Sequence, residues 1–348
     1  MATIGFKSDA HSLITPEEIK GHSLGETAPF EAAELTARTA QLTLILETAR
    51  QAFAKKEPAA DVVHQLAGQL HLLRHQAAPA VWRELIPIAQ QHPVSEYLMQ
   101  DPFTSWSFNK PRGYSGDAGL LDIYYKHPAA DYVINSSTEL GREIYAYTSD
   151  AESSKAGRER KELLAKLVDG TAERVGSDAE VLAIACGHLR EAEISKAVKD
   201  GTIKRWIGLD QDPMSVAIVN AGHVGTAVTA IEGSVRGILR RSYDLGTFDL
   251  VYASGLFDYL PKNVGVRLLQ RALEFVRPGG EFLFANFSDE ITTDGYMETF
   301  MDWPLILRSD DDMLDIINSS VDRNKVEIDV FYGANRNVVY GKVKKLAE

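Results

Sequence analysis

Cysteine is almost missing from this chain: Cys186 is the only one in 348 residues. That excludes an intramolecular disulfide and a cysteine-based zinc site. No run of about 18 apolar residues is present to span a bilayer. The first residues, M-A-T-I-G-F-K-S-D-A-H, lack the apolar core of a signal peptide. A soluble, cytoplasmic protein with no membrane partner is therefore expected. Basic residues are in the minority, 37 Lys and Arg against 49 Asp and Glu, for a formal net charge of −12. Nucleic acid is then not expected as a partner, because phosphate binding is dominated by Lys and Arg. The nine histidines are scattered without metal-ligand spacing, and no metal is expected. Internal repeats, low-complexity segments and a G-x-G-x-x-G fingerprint are all lacking.

What is present is ordinary for a globular protein, with 45% hydrophobic and 25% charged residues. The length allows two domains or one large elaborated one. Residues 1 to about 30 carry little periodicity and read as an arm or lid. From there to about residue 75 the pattern is helical. Leu35, Leu42, Leu46 and Ala49 recur at three- and four-residue spacing, as do Val62, Leu66, Leu70 and Leu73 beyond Pro58. Residues 79–91 add a short helix. Between residues 93 and 149 aromatic side chains concentrate around the loop K-P-R-G-Y-S-G-D, residues 110–117. Pro111, Gly113 and Gly116 make it a turn, and Asp117 suits the N-cap of the run that follows. It is either a capped loop packed on an aromatic cluster or a wall facing a substrate. Residues 149–154 form a polar break, and the sequence divides into a helical region, 1–150, and an α/β region, 151–348.

In the second region strands and helices alternate. After a helix over 155–169, strands are expected at 181–185, 205–210, 226–231, 248–254 and 281–287. Helices are expected at 189–198, 214–221, 264–276 and 310–319. Two consecutive strands, 326–332 and 338–343, close the chain as a hairpin, so one strand runs antiparallel to the others. The organising stretch is V-L-A-I-A-C-G-H-L-R-E, residues 181–191, a first strand and the turn after it.

Five strand–helix units with a terminal hairpin resemble the class I S-adenosylmethionine-dependent methyltransferases, a Rossmann-like seven-stranded α/β fold. V-L-A-I-A-C-G is similar to their cofactor motif, with Ala183 in place of an acid and Ala185 and Leu189 in place of two glycines. I-G-L-D-Q-D (207–212), F-D-L-V-Y-A-S-G-L-F-D-Y-L (248–260) and R-P-G-G-E-F-L-F-A-N-F (277–287) resemble the motifs of the second, fourth and fifth strands. Together with D-W-P-L-I-L-R (302–308), the R-G-Y-S-G-D loop resembles a subgroup with a helical N-terminal lid. That subgroup includes methyl ester synthase-like proteins and azetidine-2-carboxylate synthases of secondary metabolism.

The resemblance implies S-adenosylmethionine as cofactor or as the substrate itself and a small-molecule partner; the oligomeric state, monomer or homodimer, is not set by the sequence. It implies methyl transfer to a carboxylic or amino acid type acceptor. The alternative is cyclisation of S-adenosylmethionine to azetidine-2-carboxylate with release of 5′-methylthioadenosine. A third class is a non-catalytic cofactor sensor. Asp210 is the expected ribose ligand, with Gln211 beside it, whereas Asp212 suits a helix cap before Pro213. Gly187 lets backbone approach the cofactor in the Ala185 turn. Glu191 is either a partner for the cofactor's ammonium or a carboxylate favoured by the helix dipole. Ser234 and Val235 fall at the adenine edge, and Ser254 and Gly255 end the fourth strand. Cys186 reads as packing rather than as a nucleophile, and His188 as a residue that shapes the backbone.

An aromatic wall suits a sulfonium cation. Tyr114, Asp117, Tyr125 and Asn135 are the catalytic candidates, with Arg112 able to hold a carboxylate. Tyr124, Tyr259, Asn286, Trp303 and Arg308 are the candidate substrate pocket, Tyr259 having an apolar core role as its alternative.

Overall fold

The computed structural model describes residues 16–24 and 30–347. Most of the arm expected over residues 1 to about 30 lies outside them; within it, Pro16–Ser23 is helical. The chain divides into two compact units. Among the described residues, one holds those up to Lys155 together with Ile291–Leu305, and the other holds Ala156–Glu290 and those from Ile306 onward.

The first unit is helical. Ala32–Ala54 buries Leu42, Leu46, Ala49 and Phe53, and Ala59–Gln76 buries Val62, Leu66, Leu70 and Leu73. These are the three- and four-residue stripes of an amphipathic helix, and burying each such side chain is worth roughly 1.5–3 kcal/mol. Pro79–Gln91 starts on a proline at its first turn. The aromatic segment forms short helices, among them Pro102–Asn109, Ala118–Tyr125 and Glu139–Thr148. Asp101 caps the first of these through the Phe103 and Thr104 N–H groups. It also accepts bonds from the Thr104 and Thr148 hydroxyls. Ile291–Leu305 carries a further helix, Asp294–Thr299, which sequence patterning did not mark.

The second unit is a seven-stranded sheet: β1 (Glu180–Ile184), β2 (Arg205–Asp210), β3 (Val228–Glu232), β4 (Phe248–Ala253), β5 (Val276–Phe287), β6 (Val326–Tyr332) and β7 (Val338–Lys345). Its order is β3-β2-β1-β4-β5-β7-β6. Strands β1 to β5 pair in parallel, and β7 pairs antiparallel with both β5 and β6. This is the α/β, Rossmann-like seven-stranded fold with a closing hairpin that the motif series implied. Every residue of β1 and β4 is buried, as expected for parallel strands covered on both faces. A tilted aromatic cluster of Phe257, Phe282 and Phe284 fills one part of the core.

Local expectations change at two places: β5 begins at Val276 rather than at 281, and the helix after β1 is broken. The helix expected over 189–198 is split at Ser195, where the backbone is extended. The Ser195 hydroxyl and the Lys196 and Ala197 N–H groups donate to Asp169 on the helix Glu152–Val175. Leu189 lies outside the helix, as its left-handed N-cap.

Candidate functional site

The chain reverses direction in the sheet between β1 and β4, and in open α/β sheets ligands bind beyond the strand C-termini at such a switch. Beyond β1 the backbone turns through Ala185, Gly187 and Leu189 with φ of 53°, 54° and 50°. Three left-handed residues at alternate positions hold the turn open, although only one is glycine. The other two each cost about 1–2 kcal/mol, a strain characteristic of functional turns.

Asp210, at the end of β2, ties this turn down. Its Oδ2 accepts the Gly187 N–H at 2.7 Å and its Oδ1 the Asp212 N–H at 2.9 Å. Its carbonyl accepts the Gly233 N–H at 2.8 Å, which brings the loop after β3 to the same point. Burial pushes the Asp210 carboxyl upward, and the two N–H bonds pull the other way. Each carboxylate oxygen retains a second lone pair. Asp212 caps Pro213–Gly222 through the Met214 N–H and the Ser215 hydroxyl. Gln211, between them, is half-buried. The Ser234 hydroxyl caps Val235–Leu239 by accepting the Gly237 N–H, and its own N–H donates to the Tyr243 hydroxyl. Val235 is buried at the start of that helix.

Cys186 packs against Gly208 of β2, where any Cβ would come within 2.7 Å of its Sγ. Burial and the nearby Asp210 and Glu191 carboxylates push its thiol well up, so it is held as the unreactive thiol. His188 is buried in the same turn.

Between β1 and β4, Glu191 accepts the Tyr252 hydroxyl at 2.6 Å, with both groups buried. Burial raises the Glu191 carboxyl, opposed by the Tyr252 bond and by the Arg160 and Lys161 charges. Tyr252 is pushed far up by burial and by Glu191, so it keeps its proton and donates. Ser254 and Gly255 follow β4, half-buried. Arg160, from the helix Glu152–Val175, is buried beside them. Its guanidinium lies 5.8 Å from the Phe287 ring centre, and one nitrogen is 3.8 Å from the place of a Gly255 Cβ. Its charge acts on both Glu191 and Asp258. Sequence reasoning missed Arg160 because it stands in the charged run G-R-E-R-K-E, where nothing marks one cation as buried. Asp258 accepts the Phe287 N–H at 2.6 Å, and burial pushes it up to about 6.

Asn286 and Arg308 are both buried and bonded to each other. Arg308 also donates to the Phe257 and Leu260 carbonyls, and Asn286 to those of Phe287 and Ile306. These two side chains therefore pin the loops after β4 and β5. Tyr259 is buried in the same stretch.

In the first unit, Arg112, Tyr114 and Asp117 share the R-G-Y-S-G-D loop, which turns through left-handed Lys110, Gly113 and Gly116. Asp117 caps Ala118–Tyr125 through the Leu120 N–H and accepts the Trp106 indole N–H with both oxygens. Burial raises its carboxyl. Arg112 is buried and Tyr114 half-buried. Tyr124 is buried, edge-on to Phe103 and to the half-buried Tyr125. Trp303 is buried too, whereas Asn135 is exposed at the end of Asp131–Asn135. Among the described residues, one cluster also has the makings of a metal site. His71, His75 and Asp294 of the first unit offer ligand atoms within 4.8 Å of one another. The spacing His71-x-x-x-His75 escaped the sequence reading.

No protein-family model matches the chain, and no curated protein matches it in sequence. Among solved structures, it is similar to a possible exported protein from Bordetella parapertussis, at 16% identity over 92% of this chain and 100% of that one, with a TM-score of 0.52. A second is the N-methyltransferase NodS from Bradyrhizobium japonicum WM9 in complex with S-adenosyl-L-homocysteine (15% identity, 64% and 99% covered, TM-score 0.40). A third is the plantazolicin methyltransferase BamL with a triazolic desmethylPZN analogue and SAH (9% identity, 66% and 95% covered, TM-score 0.43). The first likeness, over nearly all of both chains, is one of fold.

Proposed function

We propose that the protein is an enzyme that uses S-adenosylmethionine, bound at the β1–β4 switch, to methylate a small carboxylic or amino acid type acceptor. One observation carries this reading. The turn Ala185–Leu189 keeps three left-handed residues and is fastened to a buried strand-end carboxylate, Asp210. The residues fit the cofactor. Gly187 presents backbone without a Cβ, and the free lone pairs of Asp210 suit vicinal ribose hydroxyls. Ser234, Val235 and Gln211 suit the adenine edge. The buried pair Arg160 and Glu191 offers a cation and a carboxylate of the signs needed by the methionine carboxylate and ammonium. When bound, the cofactor supplies an electrophilic methyl group: the acceptor–methyl bond forms, the methyl–sulfur bond breaks, and the electron pair returns to sulfur. The acceptor side is assigned to the R-G-Y-S-G-D loop on sequence resemblance, with Tyr114 as its wall.

A second reading draws on the buried Glu191. Glu191 already accepts one O–H proton, from Tyr252 at 2.6 Å, and burial raises its carboxyl, which favours proton uptake there. In cyclisation the substrate's amine nitrogen bonds to its own γ-carbon, the γ-carbon–sulfur bond breaks, methylthioadenosine leaves, and the proton from nitrogen passes to Glu191. Mass spectrometry of the products separates the readings. S-adenosylhomocysteine formed only with an added acceptor supports the transferase. Methylthioadenosine with an azetidine amino acid, from S-adenosylmethionine alone, replaces it with the cyclase. Tight binding without either product leaves a sensor. Tyr114→Ala is expected to lower turnover more than cofactor affinity.

A further inference from the structure

We propose that His71, His75 and Asp294 form a binding site for a divalent transition-metal ion, zinc by preference, that clamps the segment Ile291–Leu305 to the helix Ala59–Gln76. The two histidines stand one helical turn apart, so their rings share a face, with centres 4.4 Å apart. They present different nitrogens to one carboxylate: His71 Nδ1 lies 2.7 Å from Asp294 Oδ1, and His75 Nε2 lies 2.9 Å from Oδ2. Two imidazole nitrogens and a carboxylate oxygen are the donor set of borderline ions such as zinc, and leave a fourth position for water. Around one zinc ion such atoms sit about 3.3 Å apart, as bond lengths of about 2.0–2.2 Å require. All three lie within 4.8 Å already. In the metal-free state the two N–H groups donate to Asp294. An entering ion takes the lone pairs instead, each neutral ring carrying its proton on the other nitrogen.

The surroundings favour a cation. Arg74 reaches Asp294 at 3.4 Å but is held by Glu298 through three bonds of 2.8–2.9 Å, and Glu298 also accepts the Trp82 indole N–H. Arg74 and Glu298 thus offset each other, and the charge of Asp294 remains for the ion. Access is graded: Asp294 is 2% exposed, His71 23% and His75 48%. Gly295 lets the two backbones approach, since a Cβ there would meet the Leu70 carbonyl at 2.6 Å and the His71 backbone nitrogen at 2.8 Å.

The test uses the full, tag-free chain. Titration calorimetry with zinc is expected to give one equivalent bound and a higher melting temperature. Cobalt at one equivalent is expected to give the visible bands of a four-coordinate ion. His75→Gln, at a half-exposed position, is expected to keep the metal-free fold, with at most a small drop in melting temperature, and to weaken zinc binding by more than about ten-fold. Asp294→Asn does the same to zinc if it folds; if it does not, His75→Gln decides. Failure to bind one equivalent, or zinc binding unchanged in His75→Gln, overturns the proposal.

Discussion

At the scale of single residues, the turn after β1 sets two effects against each other. Ala185 is half-buried and left-handed. Ala185→Gly relieves about 1–2 kcal/mol of strain and costs about 0.5–1 kcal/mol in unfolded-state entropy. The variant is expected to be more stable by roughly 0.5–1 kcal/mol in urea denaturation. Leu189 has the same backbone but is 1% exposed. There the lost packing, about 2–5 kcal/mol, outweighs the relief, and Leu189→Gly is expected to destabilise. Asp258 gives a pH signature. Its folded pKa of about 6 lies above the ordinary 3.8, so the native state binds the extra proton. Its contribution is complete below about pH 4 and is lost as pH rises through 6. Relative to Asp258→Asn, the native chain should lose about 2 kcal/mol of stability between pH 4 and 7. A constant difference across that range would refute the assignment. The place of Asp210 at the end of β2 was legible in sequence because the apolar run of the strand stops on it. Arg160 was not, because burial inside a helix full of charges leaves no trace in residue type.

At the scale of elements, β7 is held against β5 by a missing side chain. Gly341 stands opposite Phe284, and a Cβ there would come within 2.4 Å of the ring. Gly341→Ala therefore forces the ring or the strand to move, and a loss of about 1–3 kcal/mol is expected by thermal denaturation. A neutral result would mean that Phe284 repacks freely. Strand positions were readable because a buried parallel strand is a short apolar run between turn residues; β2 and β6 fall where periodicity put them. The break at Ser195 was not readable. It depends on Asp169, 26 residues earlier, accepting the Ser195 hydroxyl. The helix Asp294–Thr299 was missed for a related reason. All six of its residues are buried, charged Asp294 and Glu298 among them, so its polar residues do not mark a solvent face and the stretch shows no amphipathic period.

At the scale of the molecule, the sequence carries a seven-stranded sheet whose order follows from βα repetition and a closing hairpin. It does not carry the placing of Ile291–Leu305, which belongs with residues more than a hundred positions earlier. The central claim is that the second unit holds an adenosyl cofactor over the β1 turn with Asp210 on its ribose. Titration calorimetry of the full chain with S-adenosylhomocysteine tests it most directly, beside Asp210→Ala checked for fold by circular dichroism. The account predicts one equivalent bound by the native chain. It also predicts an affinity at least about 100-fold weaker in the folded variant, for two lost charge-assisted bonds. No binding by the native chain, or undiminished binding by the variant, would contradict it.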